Sequence, residues 1–509
     1  MLKLYIVIFI VIVSSGNAFC QQLELSSDLQ LKLSDKNGKN NFSLLEKNRI
    51  KEDNKITNSI YLKNNSLGNK RFSIGSDKVN PDVIGKKYPI WVPITELVGL
   101  HAGVCLFSNY VLHNDFAKIS FESVKKNFET GFVWDPDYFI TNYFAHPYNG
   151  SIYYNIARAN GYNYYVSSVF AFSGSLTWEL FMETEPPATN DIINTTISGI
   201  FLGEVTHRLS SLLVDDRTTG FERVMREIGI GIIDISRGFN RLFQGKSWAV
   251  NKNTYAREPL ALNAYYGVNW NNYGTKIGTG IANGVAGFGL IYGDPFKGKK
   301  REIMDFFRVA GNFNFGAGQP PIGSLEGYGL LFGKSKKTSK KTDKLQGIFH
   351  HYDYYDNKAY EIGAISFGVG WFNRYKTSES SRILATIHLG IIPLGASRST
   401  YIDTTGQERD YSFNGGLDAK LEFSYSGKWG LIYAGYNLYW FSTYVGIAGN
   451  ELYGLLRPKI VINVTKDLGI GAQFLFAHKE GYYKDYESIN GRAYQGMLLL
   501  QYKFGDISF

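Results

Sequence analysis

The sequence predicts an α+β membrane protein in which an N-terminal helical domain precedes a C-terminal antiparallel transmembrane β-barrel of about 12 strands. The barrel is indicated by apolar and polar residues that alternate with a period of two after Gly245. In the segment 410–426, Leu417 lies on the apolar face, whereas Asp418 and Lys420 lie on the polar face. A strand with one apolar and one charged face suits a wall between lipid and a wet lumen.

Apolar residues at helical spacing predict the domain that precedes the barrel. Between Tyr143 and Gln244 they recur three or four positions apart, as at Ile197 and Phe201, and four helices fit this region. The segment Tyr162–Trp178 carries no charge, but its serines and threonine suit close helix packing more than contact with lipid. We therefore expect a helical bundle.

Composition divides the chain into four parts. The first residues combine Lys3 with an apolar run at 4–13 that is too short to span a bilayer, which is typical of a secretory signal peptide. The residues after it are rich in Asn, Lys and Ser and predict a disordered tether. The predicted parts are a signal peptide at 1–20, the tether at 21–80, the helical domain at 81–250 and the barrel at 251–509.

Amino-acid usage favours a membrane protein over a nucleic-acid-binding protein. The chain has 36 Tyr, 35 Phe and 55 Gly, which aromatic girdles and barrel bends explain. The net charge of +9 could suit nucleic acid, but the basic residues are dispersed and an exported protein meets no genome. We expect outer-membrane lipid as the partner, with other envelope proteins a second possibility, and no nucleic acid.

Twelve candidate strands reach Phe504, an even number as bacterial single-chain barrels require. The clearest are Ile303–Gly316, Arg382–Ile391, Asp410–Ser426, Lys459–Val464, Leu468–His478 and Tyr494–Phe504. The alternation predicts that Arg308, His388, Asp418, Lys420 and Glu422 face the lumen. Such charges could form a selective water path, or could lock across a narrow interior and fill it.

Three long motifs carry a resemblance to a known family. They are WDPDYFITNYFAHPYNGSIYYNIARANG from Trp134, GSLTWELFMETEPPATNDIINTTISGIFLGEVTHRLS from Gly174 and REIGIGIIDISRGFNRLFQGK from Arg226. This region resembles an exported Gram-negative family known as domain of unknown function 3943. The matching positions are Trp134, Asp135, Asp137, His146, Pro147, Tyr148, Arg158, Gly161, Trp178, Glu179, Asp191, Glu204, Arg237, Asn240 and Arg241.

The resemblance implies a helical domain before a barrel and no established reaction. One departure is visible, because Pro187 is followed by Ala188 where the family pattern leads us to expect serine. A role that depends on serine at this position is therefore not expected.

Five polar residues lie within apolar helical segments and are the weak candidates for catalysis. They are His146, Arg158, Glu179, Asp191 and Glu204. A buried charge must find a partner, so we expect a network of ion pairs and hydrogen bonds that fixes the bundle. The alternative is general acid or base chemistry at His146 with a carboxylate that orients it.

The sequence predicts no metal site and no cofactor. His350 and His351 are adjacent on a strand and therefore point to opposite faces. Asp135 and Asp137 could offer oxygen ligands to a cation, but carboxylates before a helix are more often capping residues.

These patterns predict an integral protein of the cell outer membrane, with a helical domain that is periplasmic or plugs the barrel. The preferred role is not enzymatic and is either passage of a small solute or a scaffold in the envelope. The alternative is an enzyme that acts on envelope lipid, for which His388 and a serine of the lumen are candidates. A soluble sandwich would need a dry core, which the charged face of 410–426 argues against.

Overall fold

The computed structural model describes residues 87–251, 257–273, 280–297, 301–316, 319–357, 360–399, 401 and 410–504. Within these ranges, seven α-helices are followed by twelve β-strands that close into a barrel. The predicted fold class is confirmed. The predicted signal peptide and tether lie outside the described residues.

Local sequence sets the ends of the helices. They are α1 (Trp91–Tyr110), α2 (Phe121–Thr130), α3 (His146–Ala159), α4 (Tyr164–Phe181), α5 (Thr189–Leu213), α6 (Gly220–Ile233) and α7 (Ile235–Phe243), and a π-helical turn at Thr141–Ala145 leads into α3. Five helices lie between His146 and Phe243 where the sequence predicted four. The difference arises at Asp234, which leaves helical geometry and caps α7 by accepting the N–H of Arg237.

Glycines allow the central helices α3 and α5 to approach closely. A Cβ atom on Gly150 would come 1.8 Å from the carbonyl oxygen of Thr195, and one on Gly199 would come 2.6 Å from Cα of Gly150. Gly203 leaves room in the same way for the ring of Tyr154. The bundle therefore depends on residues without side chains where these two backbones meet.

The strands form one closed antiparallel sheet. They are β1 (Leu260–Tyr273), β2 (Ile281–Tyr292), β3 (Phe307–Phe315), β4 (Ile322–Lys337), β5 (Thr342–Asp356), β6 (Glu361–Lys376), β7 (Arg382–Arg398), β8 (Tyr411–Gly427), β9 (Gly430–Val445), β10 (Gly449–Asn463), β11 (Leu468–Tyr483) and β12 (Ile489–Phe504). Each strand pairs with its neighbours in sequence, and β1 pairs with β12. We call the end at which β1 begins and β12 ends the terminal end, and the other the distal end.

The two faces of the wall differ sharply in chemistry. Outward side chains are apolar and exposed, such as Ile470, Leu498 and Leu500. Inward side chains include the buried Arg457 and Gln501. A closed barrel with an apolar outer surface and a polar interior is the architecture of an outer-membrane β-barrel, and it excludes a sandwich with a dry core.

Aromatic side chains fill part of the lumen near both ends. Near the terminal end, Phe296 and Phe306 of the β2–β3 connection join a buried cluster that contains Phe349. Near the distal end, Tyr439 and Phe441 are fully buried in a second cluster. These clusters narrow the interior.

The helical domain packs against the outward face of the wall. Phe201 of α5 contacts the rings of His350 and Tyr352 on β5, with ring centroids 5.3 and 6.1 Å apart. Tyr352 also donates through its hydroxyl to the carbonyl oxygen of Tyr143. These β5 residues share the outward face with Ile348, which is 44% exposed to the surroundings of the barrel.

The same contact continues to β8. The Tyr411 hydroxyl donates to the carbonyl oxygen of Asp137 at 2.5 Å and accepts from the side-chain amide of Asn142 at 2.6 Å. The rings of Trp134 and Phe413 lie 5.1 Å apart. The helices therefore contact outward side chains that would otherwise face lipid.

An ionic network joins the start of the barrel to the end of α5. Arg257, three residues before β1, donates to the carbonyl oxygen of Val214 at 3.2 Å and lies 3.5 Å from Asp215. Arg217 also donates to Asp215, and this hydrogen bond lowers the pKa of the carboxyl to about 2. Asp215 is therefore charged at neutral pH and holds both guanidinium groups.

We expect Gly363→Leu to loosen the helical domain from the wall. A Cβ atom on Gly363 would come 2.2 Å from the ring of Tyr143, and overpacking of this kind costs about 1–3 kcal/mol. Limited proteolysis should then cut the helices faster, while the mobility shift on boiling still reports a folded barrel. The control is Gly496→Leu, because a Cβ atom there meets nothing within 4 Å. Equal protection in both variants would contradict the described contact.

Candidate functional site: the barrel lumen

A cavity of about 490 Å³, lined by both polar and apolar side chains, lies in the lumen. Its lining includes Lys428 and Lys466 near the terminal end, and Asn271, Gln319 and Asn357 near the distal end. The cavity lining therefore extends along the barrel beside the aromatic clusters.

Ion pairs cross the cavity between strands that are not neighbours. Arg308 of β3 lies 3.1 Å from Glu422 of β8, and Arg457 of β10 lies 2.5 Å from Glu326 of β4. The Tyr433 hydroxyl also donates to Glu422, at 2.8 Å. These ion pairs connect opposite sides of the wall across the lumen.

A second ionic cluster is packed into the wall beside the cavity. Lys420 lies 2.5 Å from Asp353 and 3.4 Å from Asp418, which accepts a hydrogen bond of 2.7 Å from Ser366. The Lys420 ammonium group also lies 3.1 Å from Nδ1 of His351. All these side chains are nearly inaccessible, so the cluster fills space and does not line the cavity.

The predicted lumen residues fall into two groups. Arg308 and Glu422 line the cavity. Asp418 and Lys420 belong to the packed cluster, and His388 lies next to it, 4.8 Å from the ring of His351. His388 is enclosed by aromatic rings, and among the described residues neither of its ring nitrogens has a hydrogen-bond partner.

Sequence reasoning missed Glu326, Arg457 and Lys459, which also line the cavity. Glu326 lies between glycines in the segment GSLEGYG, and Pro458 separates the two cations of β10. Both features interrupt the alternation of apolar and polar residues along the strand. The inward position of Glu326 follows from the strand register, because Glu326 pairs with Ala310 of β3, two residues from the inward Arg308.

In the part of the chain that the structure describes, the lining of the cavity carries more cations than carboxylates. The cations are Arg308, Arg382, Lys428, Arg457, Lys459, Lys466 and Lys503, and the carboxylates are Glu326, Asp356, Glu422 and Asp467. Lys459 lies 5.0 Å from the ring centroid of Tyr265 and has no ion pair with another described residue. The cavity is therefore cationic in balance.

Two of the five candidates in the helical domain form one buried network. Glu204 accepts hydrogen bonds from Arg158 and Arg208, with Nε distances of 2.8 and 2.7 Å, and from the hydroxyl of Tyr154. The Glu204 carboxylate is fully buried. Because Glu204 of α5 binds Arg158 of α3, the carboxylate holds these two helices together.

The other three candidates lie apart from that network. Nε2 of His146 lies 3.5 Å from Asp191, and Glu179 accepts the backbone N–H of Ala188 at 2.8 Å. Ser151, a hydroxyl five residues after His146, donates to the carbonyl oxygen of Tyr148 at 2.6 Å. The geometry therefore does not align this hydroxyl with His146.

Neither His350 nor His351 can share a metal ion with the other, because they occupy opposite faces of β5. His350 lies against Phe201 outside the wall, and His351 lies beside Lys420 inside it. Among the described residues, no group of three or more His, Cys, Asp or Glu side chains is placed to hold a metal ion.

We expect Glu204→Gln to destabilise the helical domain by about 3–5 kcal/mol, because the change leaves two buried guanidinium groups with less compensation. Denaturant unfolding in detergent measures the loss. The control is Glu222→Gln, which removes an exposed carboxylate 2.9 Å from Arg226 and should cost less than about 1 kcal/mol. Equal stability of both variants would argue against a structural role for Glu204.

Comparison with solved structures returns outer-membrane channels. An outer membrane channel from Pseudomonas putida F1 has a TM-score of 0.26 and 9% identity, with 48% of this chain and 96% of that chain covered. The channel DcaP of Acinetobacter baumannii has a TM-score of 0.24 and 8% identity, with 49% and 97% covered. The NanC porin has a TM-score of 0.24 and 9% identity, with 46% and 98% covered. At these TM-scores the likeness supports no argument about this chain.

No curated protein matches the chain in sequence. Residues 131–235 match the family described as "Domain of unknown function (DUF3943)". The matched segment begins before the π-helical turn and ends at the start of α7. The resemblance that the motifs indicated is confirmed for residues 131–235, whose helices pack on the outward wall of a twelve-stranded barrel. Arg237, Asn240 and Arg241 lie beyond the matched segment.

Proposed function

We propose that the barrel passes small solutes across the outer membrane and prefers anions. The observation that carries this proposal is the cavity lining, in which seven cationic side chains stand against four carboxylates. A ring of excess positive charge lowers the energy of an anion in a narrow pore relative to a cation. Lys459 is the most direct contributor, since no described carboxylate neutralises it.

The dimensions of the lumen restrict the solute. The pairs Arg308–Glu422 and Arg457–Glu326 cross the lumen, and buried aromatic rings fill part of it near both ends. A cavity of about 490 Å³ that is divided in this way accommodates small solutes. We therefore expect a low unitary conductance.

The environment of His388 does not favour the alternative of an enzyme that acts on envelope lipid. A general base must reach the proton that it removes, either directly or through one water. His388 is 1% exposed and is surrounded by the rings of Tyr328, Phe349 and Phe372. A lipid would have to displace this packing to reach the imidazole.

We further propose that the helical domain lies in the membrane beside the barrel. Its contacts are with outward side chains such as Tyr352, whereas a plug would contact the lumen. Among the described helices, α1 alone has the length and apolar composition to cross a membrane, and 28% of its apolar window is buried. Val98 of α1 and Val169 of α4 are 56% and 60% exposed, which suits contact with lipid.

A fluorescent label tests this placement. We expect a bimane at Val169→Cys to be quenched by nitroxide-labelled phospholipid in reconstituted vesicles, because Val169 faces away from the bundle. The control is Ser339→Cys in the exposed β4–β5 connection, where quenching should be weak. Equal weak quenching at both sites would place the helices in the aqueous phase.

Planar-bilayer recordings test the proposed passage. We expect the purified full chain to give small steps, with a reversal potential in a KCl gradient that reports chloride preference. Lys459→Glu replaces an unneutralised cation of the cavity by an anion and should shift the reversal potential towards that of potassium. Lys336→Glu is the control, because Lys336 is exposed and does not line the cavity.

A folded but silent barrel would contradict solute passage. An unchanged reversal potential in Lys459→Glu, with steps preserved, would contradict the anion preference alone.

A further inference from the structure

A groove of about 1110 Å³ lies outside the lumen, between the helical domain and the barrel wall. One side is formed by α3, α4 and α5 with residues 301–303 before β3, and the other by the outward faces of β4, β5 and β6. We propose that this groove binds an anionic phospholipid of the surrounding membrane. This proposal rests on the membrane position of the barrel and is independent of solute passage.

Three arginines gather on one side of the groove. Arg158 and Arg208 both donate to Oε1 of Glu204, at 2.9 and 2.7 Å, so their guanidinium groups lie close together. Arg208 also donates to the carbonyl oxygen of Ile303 at 2.7 Å. This bond brings the loop that carries Arg301 next to the other two arginines.

Arg301 has a donor that no described residue satisfies. Its Nη1 and Nη2 donate to the carbonyl oxygens of Asp294 and Pro295 at 2.9 and 3.1 Å. Nη1 also lies 3.5 Å from Asp305, and only 5% of the side chain is exposed. Its Nε is buried without a hydrogen-bond partner among the described residues. The Nε–H is therefore the donor that remains, and a charged N–H donor buried in a groove fits a phosphate oxygen.

The charge of the groove is complementary to an anion. Among the described residues, its lining contains Arg158, Arg208, Arg301 and Lys334 against a single carboxylate, Glu302. When Glu204 and Asp305 beneath the lining are added, four cations face three carboxylates. One positive charge therefore remains, and Lys334 is exposed at the rim.

The opposite side of the groove identifies the anion as a lipid. Phe332, Ile348 and Val369 are 57, 44 and 42% exposed and lie on the outward face of the wall. This face is continuous with the apolar surface that meets the bilayer. A phospholipid can place its phosphate at the arginines and an acyl chain along these side chains, whereas a soluble anion would use only the arginines.

Native mass spectrometry of the delipidated full chain tests the assignment. The protein is incubated in non-ionic detergent with phosphatidylglycerol, with phosphatidylcholine, or with phosphatidylglycerol plus excess inorganic phosphate. We expect retention of phosphatidylglycerol above phosphatidylcholine. Arg301→Gln and Lys334→Gln should each weaken phosphatidylglycerol retention, by about tenfold for the loss of a charge-assisted hydrogen bond.

Two controls separate lipid binding from folding. Lys336→Gln lies two residues from Lys334 on the same strand, is exposed and does not line the groove, so it should retain lipid as the unaltered protein does. Lys334 has no ion pair with another described residue, so its substitution should leave the mobility shift on boiling intact even if Arg301→Gln unfolds the loop.

Three results would overturn the proposal. The first is equal retention of the two lipids, and the second is unchanged phosphatidylglycerol retention in Lys334→Gln and in a folded Arg301→Gln. The third is complete displacement by inorganic phosphate, which would assign the groove to a soluble anion.

Discussion

Closure of the sheet by the pairing of β1 with β12 is the constraint on which the rest of the structure depends. A closed antiparallel sheet leaves no unpaired strand edge, which is the condition for a sheet to exist within a bilayer. Closure also directs one face of every strand to the lumen and the other face to the outside of the barrel. Charged groups such as Arg457 and Glu326 then pair with each other inside the lumen, while the outward residues form an apolar surface.

The helical domain modifies this arrangement along one part of the wall. His350, Tyr352 and Tyr354 occupy outward positions on β5, where an exposed polar ring or hydroxyl would be unfavourable in lipid. The helices cover these groups and supply hydrogen-bond partners such as the carbonyl oxygen of Tyr143. Bundle and barrel are therefore complementary in polarity as well as in shape. The presence of the helices accounts for the polar residues on the outward face of β5.

The architecture could be predicted from the sequence more fully than the arrangement of residues in the lumen. Alternation on β8 was sufficient to predict a barrel, because every second residue from Leu417 to Phe423 is apolar. It could not predict which inward charges meet, since Arg308 and Glu422 are brought together only by the curvature of the closed sheet. It also could not predict that helices cover β5, because the alternating pattern places a tyrosine on the outward face in the same way whether that face meets lipid or protein.

The ion pairs across the lumen have a consequence for assembly. Glu326 and Arg457 are separated by 131 positions in the chain, and the strands between them must all be in place before the two side chains meet. A sheet that is only partly formed would expose both charges to an apolar environment without compensation. The two charges are thus neutralised only when the barrel closes, which makes incomplete barrels unfavourable. Pairing of the last strands is therefore cooperative with formation of the ion pairs in the lumen.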